Sequence, residues 1–170
     1  QYSGEAGGST AYDQVKKAMA DRDFDKAIRL CQQLLEKEPT HTGALLTLAR
    51  AQDAAGNKAA SVDAYQRYLE LKPEDAKETA AMIIVMAEAG QCAQARSAAA
   101  SAADRFAGLG QKELGKIQFA WGKALFCAED YGAARQKFAL AAASGDPQWS
   151  SAARDGIKAC DEYIVYEQQK

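Results

Sequence analysis

The sequence predicts an all-α protein built from antiparallel helix hairpins. Alanine is abundant and only three prolines occur in 170 residues, which favours helix because alanine loses no side-chain entropy on entering one. Pro39 and Pro73 lie 34 residues apart, and each ends a similar six-residue phrase that passes from apolar to polar residues. A recurrence of this length is typical of helical repeats.

Each predicted helix rests on apolar residues at helical spacing and on a local start or stop signal. Pro39 and Pro73 end helices, because proline lacks a backbone N–H and crowds the preceding turn. Gly56 and Gly90 mark turns within hairpins, and Asp146 followed by Pro147 is a suitable N-cap and first helical residue. The predicted helices are 10–21 with 24–37, 42–55 with 58–71, 75–89 with 92–106, 112–127 with 131–143, and a last helix at 148–168.

Equivalent positions of the four hairpins carry matching residues. Small side chains that would let paired helices approach closely recur at Ala27, Ser61, Ala95 and Ala134. These residues, with the spacing and the two prolines, resemble the tetratricopeptide repeat, a helix-turn-helix of 34 residues. The resemblance covers about residues 8–148. The third unit lacks the closing proline and has Cys92 where an aromatic residue is usual, and five extra residues separate it from the fourth.

The resemblance implies a right-handed superhelical array of about four hairpins with a capping helix at about 148–168. The expected repeats are about 8–41, 42–75, 76–109 and 115–148 within a single domain at 10–170. Residues 1–9, rich in Gly and Ser, are expected to be a flexible tether. The segment from Ala107 to Gly110 is either a lengthened loop between repeats or a hinge.

In this family the first helix of each pair lines a concave groove that holds an extended peptide or a partner helix. The family's groove-facing pattern falls on Tyr12, Lys16, Leu46, Arg50, Lys77, Ile84, Lys116, Phe119, Lys123 and Phe126. Because the set is apolar and basic, it predicts a protein or peptide partner with apolar anchors and an acidic or carboxylate-terminated character. Alternatively, its apolar members pack against neighbouring repeats and its lysines are merely solvated.

Nothing in the sequence predicts an enzyme, a cofactor or a metal site. The one histidine, His41, is interpreted as a surface-loop residue, and the four cysteines include no C-x-x-C pair. No nucleophile–base set or phosphate-binding loop is present. The net charge of -2 argues against nucleic acid, and no apolar run reaches the length of about 18 residues that spans a membrane.

Two of the four cysteines are interpreted as buried side chains, and the other two as candidates for a disulfide. Cys31 and Cys160 lie on apolar faces and are expected to be small buried side chains. In stacked repeats Cys92 and Cys127 would lie on the same edge, where they can form a disulfide or remain free thiols. A disulfide would indicate an oxidising compartment.

The leading functional interpretation is a scaffold or adaptor that docks a protein partner. One alternative is a periplasmic lipoprotein-type assembly factor, a pilotin, for a pilus or secretion complex. Another is a self-assembling structural scaffold that forms a homo-oligomer, and a third is an accessory domain of a longer chain. The bacterial periplasm or cell envelope is the suspected location, with the cytoplasm as the alternative.

Overall fold

A computed structural model describes residues 7–170, with side chains from residue 11 onward, and this part of the chain forms nine α-helices. They are α1 (Gly7–Ala20), α2 (Phe24–Lys37), α3 (Thr42–Ala54), α4 (Lys58–Leu71), α5 (Ala76–Glu88), α6 (Cys92–Arg105), α7 (Gln111–Cys127), α8 (Tyr131–Ala142) and α9 (Pro147–Gln168). The predicted all-α class is confirmed. Residues 1–6 of the tether expected at 1–9 lie outside the described residues. Residues 7–9 belong to α1, which begins at Gly7.

The same backbone conformation recurs in the turn inside every hairpin. The residue two places before the second helix has a positive φ in each case, namely Arg22 (58°), Gly56 (84°), Gly90 (76°) and Glu129 (62°). Glycine adopts this left-handed conformation freely, whereas a residue with a Cβ is disfavoured there by roughly 1–2 kcal/mol. This shared turn is structural support for four related hairpins.

Polar caps fix where several helices begin. The carboxylates of Asp23, Asp75 and Asp130 accept hydrogen bonds from backbone N–H groups three residues later, at 3.1, 3.1 and 3.2 Å. His41 caps α3, because its Nδ1 accepts the N–H of Ala44 at 3.0 Å. Such caps satisfy backbone donors that have no partner within the helix. A capping role for His41 was not anticipated from its position in a loop.

The predicted start of the last helix is confirmed. Asp146 is the N-cap of α9, and its carboxylate accepts the N–H of Gln148 at 3.0 Å. Pro147 is the first helical residue, where its fixed φ suits the helix and its missing N–H costs nothing.

The helices divide into two compact units, one that ends at Pro73 and one that begins at Glu74. In the first unit α2 packs against both α1 and α3, and α4 packs against α3. Ala27 and Ser61, two of the small residues that mark the repeat, are fully buried. The Ser61 hydroxyl donates to the Ala49 carbonyl at 2.7 Å, so this buried polar group is satisfied.

The second unit is organised around α7, which packs against α5, α6, α8 and α9. The helices α5, α7 and α9 form one layer, since α7 contacts both of the others. The other layer consists of α6, which packs against α5 and α7, and α8, which packs against α7 and α9. Phe138 of α8 fills the space between α7 and α9, where a Cβ at Gly122 or at Gly156 would approach its ring to 2.6 or 2.8 Å. Ala153 and Cys160 of α9 are fully buried in the same cluster as this ring.

A disulfide joins Cys92, the first residue of α6, to Cys127, the last residue of α7. Their Cα atoms lie 5.3 Å apart, a normal separation for such a bond. Cys31 and Cys160 are free and buried. Burial raises the pKa of the Cys31 thiol to about 11 and also raises that of Cys160.

None of the helices in residues 7–170 has the length and apolarity needed to cross a bilayer. The same stretch brings together no group of three or more His, Cys, Asp or Glu side chains that could hold a metal ion.

Candidate protein-binding surface

The residues predicted to face the groove in the second unit lie on α5 and α7. On α7 they recur at intervals of three and four, as Lys116, Phe119, Lys123 and Phe126. Side chains at these intervals share one side of a helix. That side of α7 faces α5 and α9, because Lys123 approaches Glu88 of α5 and Phe119 contacts Trp149 of α9. Helical spacing places Trp121 on the opposite side of α7.

A cavity of about 400 Å³ lies beside the first turns of α5, α7 and α9. Its basic lining residues are Lys77 of α5 and Lys112 and Lys116 of α7, and its large aromatic residue is Trp149 of α9. The Lys116 ammonium lies 5.3 Å from the centroid of the Trp149 ring, within the range of a cation–π interaction. We call this feature the lysine cavity.

The two carboxylates that line the lysine cavity lie close to their own helix starts. Asp146 caps α9, and the Glu113 carboxylate lies over Gly110, where a Cβ would meet its Oε2 at 2.5 Å. Among the described residues, neither Lys77 nor Lys112 forms an ion pair with a carboxylate. The cavity therefore presents ammonium groups that an anionic ligand could contact.

The two phenylalanines of the predicted groove are half-buried and pack against aromatic neighbours. The Phe119 ring lies 5.6 Å from that of Phe138 and 5.3 Å from that of Trp149. The Phe126 ring lies 5.1 Å from Tyr131 and 5.4 Å from Tyr163. These contacts bury part of each ring within the second unit, so only the remaining surface is available to a partner.

The other predicted groove residues of this unit differ in exposure. Lys77 is exposed and Ile84 is half-buried. Lys123 Nζ lies 3.8 Å from Glu88 Oε1, and both side chains are about one-third exposed. An ion pair of this length at the surface is worth at most about 1 kcal/mol, so a partner carboxylate could compete for Lys123.

In the first unit, Tyr12 and Lys16 lie on α1, and Leu46 and Arg50 lie on α3. The Tyr12 ring lies 4.9 Å from the His41 ring, and a Cβ at Gly43 would meet Tyr12 at 2.8 Å. Lys16 is exposed and bonds Asp13 at 2.7 Å, and this hydrogen bond and charge raise the pKa of Lys16. Leu46 is half-buried and Arg50 is exposed.

Reasoning from the sequence missed Lys112 and the role of Trp149. Trp149 was not predicted as a site residue, and the structure places it half-buried on the cavity wall. Lys112 precedes Lys116 by one helical turn, and that spacing on α7 was the available signal.

Comparison with known proteins agrees with this architecture. Residues 18–83 match the tetratricopeptide repeat family. No curated protein sequence matches the chain.

Solved structures similar to this chain include several of MamA. The structure of MamA from residue 41 to its end, from Desulfovibrio magneticus RS-1, superposes with a TM-score of 0.69 at 12% identity, over 95% of this chain and 93% of that one. A crystal structure of MamA gives 0.66 at 14% identity, over 92% and 97% of the two chains. Another gives 0.63 at 19% identity, over 95% and 88%.

At these identities the likeness shows the fold alone. The predicted resemblance to the tetratricopeptide repeat is confirmed over residues 18–83, a stretch that contains two of the four left-handed turns, at Arg22 and Gly56. Residues 18–83 match the tetratricopeptide repeat family, and the chain has the all-helical repeat fold seen in the MamA structures.

Proposed function

We propose that this protein is an interaction scaffold whose lysine cavity binds an acidic segment of a partner protein. The observation that carries the proposal is the grouping of Lys77, Lys112 and Lys116 around Trp149. Tetratricopeptide repeats are protein-binding modules, and the match over residues 18–83 supports a role of that kind.

The chemistry of the cavity favours a carboxylate beside an apolar side chain. Three ammonium groups attract negative charge, while the half-buried ring of Trp149, which packs against Phe119, offers apolar contact. Lysine is a point charge with flexible reach, so the site suits varied carboxylate positions rather than one planar geometry. The partner segment should therefore carry Asp, Glu or a free C-terminal carboxylate next to an aromatic or aliphatic anchor.

A binding measurement tests this proposal. The probe is a short fluorescein-labelled peptide rich in Asp and Glu, with one Phe anchor, no Trp and a free C-terminal carboxylate, and anisotropy reports its binding. We expect the double variant Lys77→Glu, Lys112→Glu to bind it roughly tenfold more weakly. Two lost contacts at about 0.2–1 kcal/mol each weaken binding by about 0.4–2 kcal/mol, a range that contains the roughly 1.4 kcal/mol of a tenfold change. Affinity should also fall as the salt concentration rises.

The matched control is Lys158→Glu, which reverses an exposed lysine of α9 outside the lysine cavity. An amidated version of the peptide separates recognition of the terminal carboxylate from recognition of acidic side chains. The proposal fails if the double variant binds as well as Lys158→Glu does, or if a lysine-rich peptide binds as tightly as the acidic one.

A self-assembling scaffold is a second candidate, favoured by the last turns of α9. Tyr163, Val165 and Tyr166 are 46%, 51% and 58% exposed, which places three large apolar side chains at one end of a helix. Apolar clusters of this kind often mark interfaces. Sedimentation velocity over a range of concentrations tests it: the apparent mass should rise with concentration, and Val165→Glu with Tyr166→Glu should abolish the rise. A mass that stays monomeric at every concentration would exclude it.

A further inference from the structure

A second groove lies on the opposite layer of the second unit, between α6 and α8. It has a volume of about 500 Å³, and its floor is formed by Trp121 and Leu125 of α7. The α6 wall consists of small side chains, chiefly Ala93, Ser97 and Ala100. Because these side chains are short, α6 leaves the indole of Trp121 half-buried at the bottom of the groove instead of covering it.

The charges around this Trp121 groove have one sign. Its charged lining residues are Arg96 on α6 and Lys137 on α8. In the part of the chain that the structure describes, neither of them forms an ion pair. The Lys137 ammonium instead lies 3.7 Å from the centroid of the Trp121 ring, so the cation lies directly on the aromatic floor.

We propose that the Trp121 groove is a second docking site, which takes an acidic protein segment whose aromatic or long aliphatic side chain replaces Lys137 over Trp121. A cation–π contact at an exposed site is worth about 0.5–1 kcal/mol, so moving the Lys137 side chain aside costs little. The released ammonium then lies, with Arg96, beside the carboxylates that flank the incoming anchor. Aromatic anchors in partly desolvated pockets provide much of the binding energy at protein interfaces.

The groove is attached to a rigid part of the unit. Trp121 packs against the buried cluster that contains Phe138. The disulfide between Cys92 and Cys127 ties the first residue of α6 to the last residue of α7, and Ala93 of the groove wall is the next residue after Cys92. A preformed site loses less conformational entropy on binding than a mobile one.

The positive charge of the Trp121 groove indicates which kind of segment binds there. Two cations with no lining carboxylate disfavour a basic segment, and two are too few to hold a nucleic-acid backbone on a chain with a net charge of -2. The short side chains and the aromatic floor favour an anchor of the size of Phe or Leu. These features together match an acidic segment with a single large apolar residue.

The two tryptophans of the chain provide a separate reporter for each site. Trp149 lines the lysine cavity and Trp121 lines the second groove, so Trp149→Phe leaves only the indole of Trp121 to be observed. The probe is a Trp-free peptide with one Phe between Asp and Glu residues. We expect a saturable change in Trp121 emission when this peptide is added, and little change when its Phe is replaced by Ala.

Charge reversal in the Trp149→Phe background identifies the site. Arg96→Glu with Lys137→Glu should raise the peptide concentration that gives the half-maximal Trp121 response roughly tenfold. Lys77→Glu with Lys112→Glu should leave that concentration unchanged. In a Trp121→Phe background the Trp149 response should show the reverse dependence. The two proposals therefore fail independently of each other.

A variant that adds bulk without changing charge separates loss of the binding site from loss of the fold. Ser97→Tyr adds bulk at an exposed α6 position without changing charge, and it should also weaken the Trp121 response while circular dichroism stays that of the parent. The inference is overturned if the Trp121 response does not saturate or survives both charge reversal and Ser97→Tyr. It is equally overturned if these variants instead abolish a concentration-dependent dimer, since a second copy would then be the occupant.

Discussion

The ring of Phe138 occupies the space in which any other residue at position 122 would place its Cβ, since that atom would lie 2.6 Å from the ring. Alanine is normally preferred to glycine inside a helix by about 0.8–1 kcal/mol. Here the clash reverses the preference, and we expect Gly122→Ala to lower the free energy of unfolding by about 1–3 kcal/mol.

Urea denaturation followed by circular dichroism measures this change. Gly132→Ala is the matched control, because no atom lies within 4 Å of a Cβ at that position of α8, and it should stabilise the protein by about 0.4–1 kcal/mol. Equal effects of the two substitutions would contradict the packing described for Phe138.

The recurring left-handed turn gives a second prediction. Glu129 adopts a φ of 62°, at the position where the second and third hairpins have Gly56 and Gly90. Glu129→Gly should therefore raise the free energy of unfolding by up to about 1 kcal/mol, whereas Gly90→Ala should lower it by roughly 1–2 kcal/mol. Thermal melting distinguishes the two, and a shift of both variants in the same direction would count against a backbone origin.

The disulfide predicts a covalent and an energetic difference. Mass spectrometry of the non-reduced protein should give a mass lighter than that of the four-thiol chain by one molecule of hydrogen. Cys92→Ser with Cys127→Ser should lower the free energy of unfolding by about 2–4 kcal/mol, mainly by releasing the unfolded chain. Detection of four free thiols under native oxidising conditions would remove both expectations, together with the inference of an oxidising compartment.

Burial of Cys31 makes stability depend on pH in the alkaline range. Its thiol pKa rises from 9.0 to about 11 in the folded protein, so the folded state keeps a proton that the unfolded state loses. The contribution is present below pH 9.0 and is lost as the pH approaches about 11. Denaturant unfolding at a series of pH values should show stability falling across this window, with a shallower fall in Cys31→Ala. Identical slopes would contradict the assignment.

Much of the fold was predictable because its signals are local. Pro39 and Asp146 mark a helix end and a helix start, and each acts within a few residues of its own position. Predicted helix bounds accordingly agree with the structure to within three residues. The small residues at Ala27 and Ala95 were found because close helix packing demands them in every repeat, and both are fully buried.

The candidate sites were less predictable because they depend on contacts between helices. Lys77 lies 72 positions before Trp149 in the sequence, yet both line one cavity. Phe119 was assigned to the groove from its helix position, but only the structure places its ring against Phe138. Trp121 was not predicted as a site residue, because its partial exposure beside the small side chains of α6 is a property of the assembled unit.

The position of the disulfide has a consequence for how the second unit would respond to a protease. The loop between α6 and α7 contains Leu109, which is 38% exposed, and it lies inside the segment that Cys92 and Cys127 enclose. Cleavage in this loop would break the chain, but the disulfide would keep the two pieces covalently joined. The nicked protein would migrate as one band without reductant and as two with it, and it would retain the helices on both sides of the cut.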